Sequence, residues 1–177
     1  MSLVLDEHRE LLADNVRLRA FEAALRQLIR PDHAVLDLAS GTGILGLLAC
    51  KAGARRVYSV DDGSIVQLGR ELAAANGMAD RLITVKGLST RVELPERVDL
   101  VVADQIGRFG FEAGIVAAFA DARARLLKPH GRMMPSRIDL IVAPVNAPQV
   151  RQWIDFWRDP RFGIDLTPAF ATAVNTG

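Results

Sequence analysis

The sequence predicts an α/β fold, a doubly wound and mostly parallel Rossmann-like sheet. Short apolar runs of strand length alternate with helix-length amphipathic segments through residues 1–143. Within them, Val35–Gly46 (VLDLASGTGILG) joins an apolar run to an apolar helix through a glycine-rich turn at Gly41 and Gly43. About 20 residues after that turn, Asp61-Asp62-Gly63 closes the second apolar run. Such a turn, at the end of a buried strand, is where parallel α/β sheets bind nucleotide-like ligands.

Taken in order, residues 6–29 read as one amphipathic helix with Leu18, Phe21, Leu25 and Leu28 on its apolar face, stopped by Pro31. Ala34–Leu38 is the first strand, apolar except for Asp37, as a strand buried on both faces should be. A helix over about 44–51 ends at Gly53, and Arg56–Val60 forms the second strand. Ser64 is the expected N-cap of the next helix, whose face is Ile65, Leu68, Leu72 and Ala75, with Asn76-Gly77 as its stop. Leu82–Val85 and Val98–Ala103 are the third and fourth strands. A helix over about 111–128 buries Phe111, Ile115, Phe119 and Leu126, while Asp121 and Arg125 pair at i, i+4 on its other side. Pro129-His130-Gly131 turns the chain into a strand at 132–134, and Ile138–Ala143 reads as another.

Residues 144–177 change character, with prolines at 144, 148, 160 and 168 and both tryptophans, Trp153 and Trp157. This tail either packs on the sheet domain or begins a second domain. Half of the chain is hydrophobic, a quarter is charged and the net charge is +1, so composition argues for neither a nucleic-acid nor a membrane partner. Cys50 is the only cysteine and reads as a small buried hydrophobe. With no leader and no long apolar run, the expected location is cytoplasmic.

Gly41-x-Gly43-x-x-Gly46 fits NAD as well as S-adenosylmethionine (SAM). Asp37 lies four residues before Gly41, where a negative charge would oppose a diphosphate. SAM has no phosphate and carries sulfonium and ammonium cations, which an acid suits, by direct contact or by holding the loop. Asp61 is placed to accept hydrogen bonds from ribose hydroxyls, or else to cap the helix after it.

The segment His8-x-x-Leu11-Leu12-x-Asp14-x-x-Arg17 resembles the N-terminal helix of the protein arginine methyltransferases. VLDLASGTGILGLLACKAGARRVYSVD, RLITVKG, VELPERVDLVVAD and LLKPHGRMMPSR are similar to further motifs of that family, in order, so the resemblance covers residues 8–143. It implies that Arg17 pairs with the methionine carboxylate of SAM, that His8 lies near the same end, and that Ala39, Gly41 and Gly43 line the cofactor through their backbone. Asp61 stands where the family has a ribose-binding glutamate. Thr90 stands where it has an adenine-reading glutamate, leaving Ser89 as the hydroxyl partner. In the loop 104–112, Asp104 and Glu112 take the places of the two glutamates that clamp a guanidinium, the loop is one residue shorter, and Arg108 adds a positive charge.

The implied function is SAM-dependent, metal-free methyl transfer to a nitrogen nucleophile, protein arginine first, with Asp104 and Glu112 orienting the nucleophile or receiving its proton. Another amine or a small-molecule hydroxyl is the alternative acceptor, and a non-catalytic SAM-binding partner subunit is the alternative role. The resemblance leads one to expect that the family's tyrosine-bearing N-terminal segment and its β-barrel are missing, except that WIDFWRDPRFGIDL resembles the beginning of that barrel, which leaves the oligomeric state open.

Overall fold

Five parallel strands form one sheet in the order β3-β2-β1-β4-β5. In the computed structural model, which describes residues 3–107, 109–111 and 114–175, β1 (Ala34–Leu38) is central. It lies between β2 (Arg56–Asp61) and β4 (Val98–Val102), with β3 (Leu82–Lys86) and β5 (Leu127–Met134) at the edges. All of β1 is buried because helices cover both faces. Val35 packs with Leu25, Leu45, Ala49 and Cys50 on one face, and Leu36 and Leu38 pack with Val101, Ala122 and Leu126 on the other. The order reverses between β1 and β4, so their carboxyl ends open a crevice outside the sheet.

Five expected elements differ. The first helix is two, α1 (Leu3–Ala13) and α2 (Asn15–Leu28), because Asp14 leaves the helical conformation and its carboxylate accepts the Arg17 N–H at 3.0 Å. That is an N-cap, which starts a new helix inside a continuous apolar pattern. Next, α4 (Val66–Ala75) begins after Ile65 without a side-chain cap, so Ser64 does not cap it. Third, α5 is only Ile115–Arg125, and it starts at Gly114, whose φ is +73°. Phe111 therefore lies in the preceding loop, 61% exposed.

The fourth difference is at the sheet edge. Strand β5 begins at Leu127 and runs through Pro129-His130-Gly131, with a register shift between Val98 and Leu100 of β4. Proline has no N–H for the ladder, so pairing is interrupted there and resumes at Arg132. Fifth, Ile138–Ala143 forms no strand, and Ile141 and Val142 are 86% and 88% exposed. Its sequence has strand propensity but finds no ladder partner among the described residues.

Contacts divide the chain into two compact units, Met1–Leu140 and Ile141–Gly177. The second holds α6 (Pro148–Asp155), a short 3-10 turn (Phe156–Arg158) and α7 (Thr167–Asn175). It is tied by an edge-to-face contact of Phe156 and Trp157 and by Arg158 over the Phe170 ring at 4.2 Å.

Candidate functional site

The glycine turn after β1 is shaped by close approach. A Cβ on Gly41 (φ +53°) would sit 2.6 Å from Cε1 of His8, so a side chain there would strain the turn and displace the histidine ring. A Cβ on Gly46 would lie 2.5 Å from Oγ of Ser59 and 3.0 Å from Oδ2 of Asp37, so this glycine lets α3 (Ile44–Lys51) settle against the sheet. Gly43 (φ +76°) is the left-handed residue from which α3 starts.

Ala39 also has a positive φ, +54°, although it carries a Cβ. A left-handed conformation costs an alanine about 1–2 kcal/mol, and glycine's extra freedom in the unfolded chain returns part of that. Ala39→Gly is therefore expected to raise stability by about 0.5–1 kcal/mol, seen as a higher urea midpoint at unchanged m-value.

Asp37 is buried beneath the turn and does not line the cleft above it. Its Oδ2 accepts the Gly46 N–H at 2.8 Å and the Ser59 hydroxyl at 3.4 Å. Burial pushes its pKa up to about 8, against which the Gly46 hydrogen bond is the smaller effect. Of the two expected roles, holding the loop is the one this position performs. The expected opposition to a diphosphate does not come from Asp37, because a carboxyl with that pKa is mostly neutral at pH 7.

The charge comes from residues around the opening. A cleft of about 640 Å³ at the carboxyl ends of β1, β2 and β4 is lined by Asp14, Asp61, Asp62 and Asp104, against Arg17 and His8. Ala39 and Gly41 form part of its wall. An adjoining hollow of about 260 Å³ shares Ala39, Asp61, Asp62 and Gln105 with the cleft and adds Ser89 and Thr90. Of the expected site residues, then, His8, Arg17, Ala39, Gly41, Asp61 and Asp104 converge on one cleft, and Ser89 lies in the adjoining hollow. Gly43 and Asp37 stay behind the wall. Glu112 and Arg108 lie outside the described residues.

Asp61, at the end of β2, spans both spaces. Its Oδ2 accepts the Gly41 N–H at 2.8 Å and its Oδ1 the Gly63 N–H at 2.7 Å. Each oxygen keeps a second lone pair for a ligand hydroxyl. The acid thus ties the glycine turn to the β2 turn rather than capping α4.

Arg17 reaches across to the end of β4. Its Nη1 donates to Oδ2 of Asp104 at 2.8 Å and its Nη2 to the Leu11 carbonyl at 2.5 Å. Nε is buried without a hydrogen-bond partner among the described residues. Burial raises the pKa of Asp104, with the Arg17 guanidinium opposing that rise. The residue expected at the methionine carboxylate and the residue expected at the methyl acceptor are thus a direct ion pair, which linear spacing does not reveal.

Sequence reading also missed Asp62, which was noted only as part of a turn, and the role of Arg125. Arg125 pairs with Asp121 as expected, at 2.6 and 2.8 Å, but the same guanidinium donates to the carbonyls of Ser89 and Val92 at 3.0 Å each. It fastens the loop that walls the smaller hollow. Arg125→Met is expected to weaken S-adenosylhomocysteine binding about tenfold, the loss of charge-assisted hydrogen bonds that order the wall. The check is calorimetry, with Arg125→Lys recovering part of the affinity.

The family model described as ribosomal protein L11 methyltransferase (PrmA) matches residues 19–140. Probable protein arginine N-methyltransferase 6 of Arabidopsis thaliana is 34% identical over 163 residues, which are 90% of this chain and 37% of the relative. Protein arginine N-methyltransferase 6 of Danio rerio is 34% identical over 164 residues, 90% of this chain and 47% of the relative. The chain thus spans less than half the length of these relatives. Among solved structures, the Trypanosoma brucei PRMT1 enzyme-prozyme heterotetrameric complex with AdoHcy superposes with a TM-score of 0.80 at 27% identity, over 94% of this chain and 53% of that one. Arabidopsis thaliana protein arginine methyltransferase 10 gives 0.73 at 25% identity, over 97% and 53%. The glycine turn, the strand order and these likenesses agree: the chain belongs to the PrmA family, as a protein arginine methyltransferase-like class I SAM-dependent methyltransferase domain.

Proposed function

We propose that this domain binds SAM in the acidic cleft and directs its methyl group to a nitrogen nucleophile, a protein arginine side chain first. The observation that carries this reading is the convergence of Arg17, Asp61 and Asp104 on one cleft. The donor set fits the cofactor. Asp61 has free lone pairs for ribose hydroxyls, and the acids of the rim suit a ligand with sulfonium and ammonium cations. Arg17 keeps one N–H on each of Nη1 and Nη2 for a carboxylate, while its Nε lies 3.8 Å from Oδ2 of Asp14. When bound, SAM supplies an electrophilic methyl carbon, so the residues need only orient the nucleophile and manage its proton.

Asp104 is suited to both tasks. Its raised pKa makes it a stronger proton acceptor than an ordinary aspartate, while Arg17 favours the ionised form that receives the proton. Asp104→Asn is expected to lower turnover by about 10²–10⁴. It should leave S-adenosylhomocysteine affinity equal or slightly tighter, because Arg17 is released toward the ligand carboxylate. Calorimetry with S-adenosylhomocysteine, and methyl transfer to arginine-rich peptides followed by product formation, test the reading. An absence of cofactor binding overturns it; loss of both quantities in Asp104→Asn would make Asp104 a support of the cleft.

A second reading, a cofactor-binding partner subunit without its own turnover, is favoured by the engagement of Asp104 with Arg17. One structural neighbour comes from a complex described as enzyme-prozyme. Cofactor binding without methyl transfer to any peptide or amine distinguishes it.

A further inference from the structure

A second hollow, of about 500 Å³, opens at the other end of the sheet, where β1 and β4 begin. Around it stand Arg30 beyond α2, His33 ahead of β1, and Lys128, His130 and Arg132 of β5. The chain's net charge is only +1 and it has three histidines, yet two of them and three permanent cations gather at this one place.

Asp99 is the only acid in the lining, and its carboxylate is engaged. It accepts Lys128 Nζ on both oxygens at 2.9 Å and the Ala34 N–H at 2.9 Å. The guanidinium groups of Arg30 and Arg132 have no hydrogen-bond or ion-pair partner among the described residues. Nδ1 of His33 is buried and likewise lacks a partner among them. That nitrogen is sealed from solvent, so the imidazole faces the hollow with its other atoms. Leu28 and Leu100 give the hollow an apolar side.

We propose that this hollow is a binding site for a phosphate monoester, the phosphoryl group held by Arg30, Arg132 and His33 and the organic part resting on Leu28 and Leu100. Two arginine forks and an imidazole match the oxygens of a doubly charged phosphoryl group better than those of a single carboxylate. The hollow is also larger than an inorganic phosphate needs. The site lies at the opposite end of the parallel strands from the glycine turn, so it is independent of the methyltransferase reading.

The test is calorimetric titration of the 177-residue chain with ribose 5-phosphate and with inorganic phosphate, in chloride buffers of matched ionic strength. Ribose 5-phosphate lacks a base and so does not imitate an adenosine ligand. The expected result is saturable binding of both, tighter for the ester, with about a tenfold loss in Arg132→Gln and, separately, in Arg30→Gln. S-adenosylhomocysteine affinity and melting temperature should stay at wild-type values in both variants, which shows that the chain is folded and the other cleft intact. Absence of saturable binding, variants that bind as wild type, or an ester no tighter than free phosphate each overturn the proposal.

Discussion

Asp61→Ala is expected to weaken S-adenosylhomocysteine binding by about 1–3 kcal/mol, roughly five- to 150-fold, the cost of leaving buried hydroxyls without an acceptor. Two effects combine at this residue. Its carboxylate faces both the larger cleft and the adjoining hollow, and it also holds the N–H groups of Gly41 and Gly63. The variant should therefore lose stability as well, by about 1 kcal/mol, since the freed N–H groups lie near solvent and recover water. Asp62→Ala is the control. Asp62 lines the same spaces without a hydrogen bond to the glycine turn among the described residues, so its affinity loss should be smaller and its stability near wild type. Equal affinities for wild type and Asp61→Ala would place the ribose elsewhere.

Asp37→Asn is expected to stabilise the protein at pH 8 and to do little at pH 4. The folded-state pKa of Asp37 is raised to about 8 from an ordinary value of 3.8. Between those values the native state holds a proton that the unfolded chain has released, so this group's contribution to stability falls as pH rises and levels off above about 8. The slope is on the order of 1.4 kcal/mol per pH unit. Carboxylates with lowered pKa values, such as Glu96, Asp99 and Asp121, act in the opposite sense, and their contribution is lost below about pH 4. Asp104, whose pKa burial also raises, acts in the same sense as Asp37, so it is the difference between Asp37→Asn and wild type from pH 5 to 8 that isolates Asp37. Asparagine mimics the neutral carboxyl and can keep an acceptor toward Gly46, so the advantage of the variant should widen steadily across that window in urea titrations. Parallel curves would mean that Asp37 is ionised when folded and that the turn does carry its charge.

The family likeness and the strand-helix alternation were legible in the sequence because both are local. Apolar period, glycine at special φ and acids at strand ends are each written within a few residues. So β1, β2 and α3 are where the pattern puts them, and Asp61 reaches the cleft because it ends the strand next to the glycine turn. The errors are also local in origin. Asp14 interrupts an apolar stripe that runs on through both helices, so periodicity alone joined them. Phe111 fits a helical face, but the left-handed Gly114 delays the helix until Ile115.

What the chain's order determined is thus the sheet, the glycine turn and the set of acids at the strand ends. Tertiary structure decided which of those acids carry charge and what each one touches. Asp37 and Asp61 look alike in sequence, each an acid at the end of an apolar strand, yet burial neutralises one and the other opens on the cleft. Desolvation depends on what the helices lay over a residue, and pairing depends on chain segments far apart in sequence. Arg17 meets Asp104 across 87 residues, and Arg125 meets Ser89 across 36. No spacing rule contains those contacts; only packing of α2 and α5 against the sheet creates them.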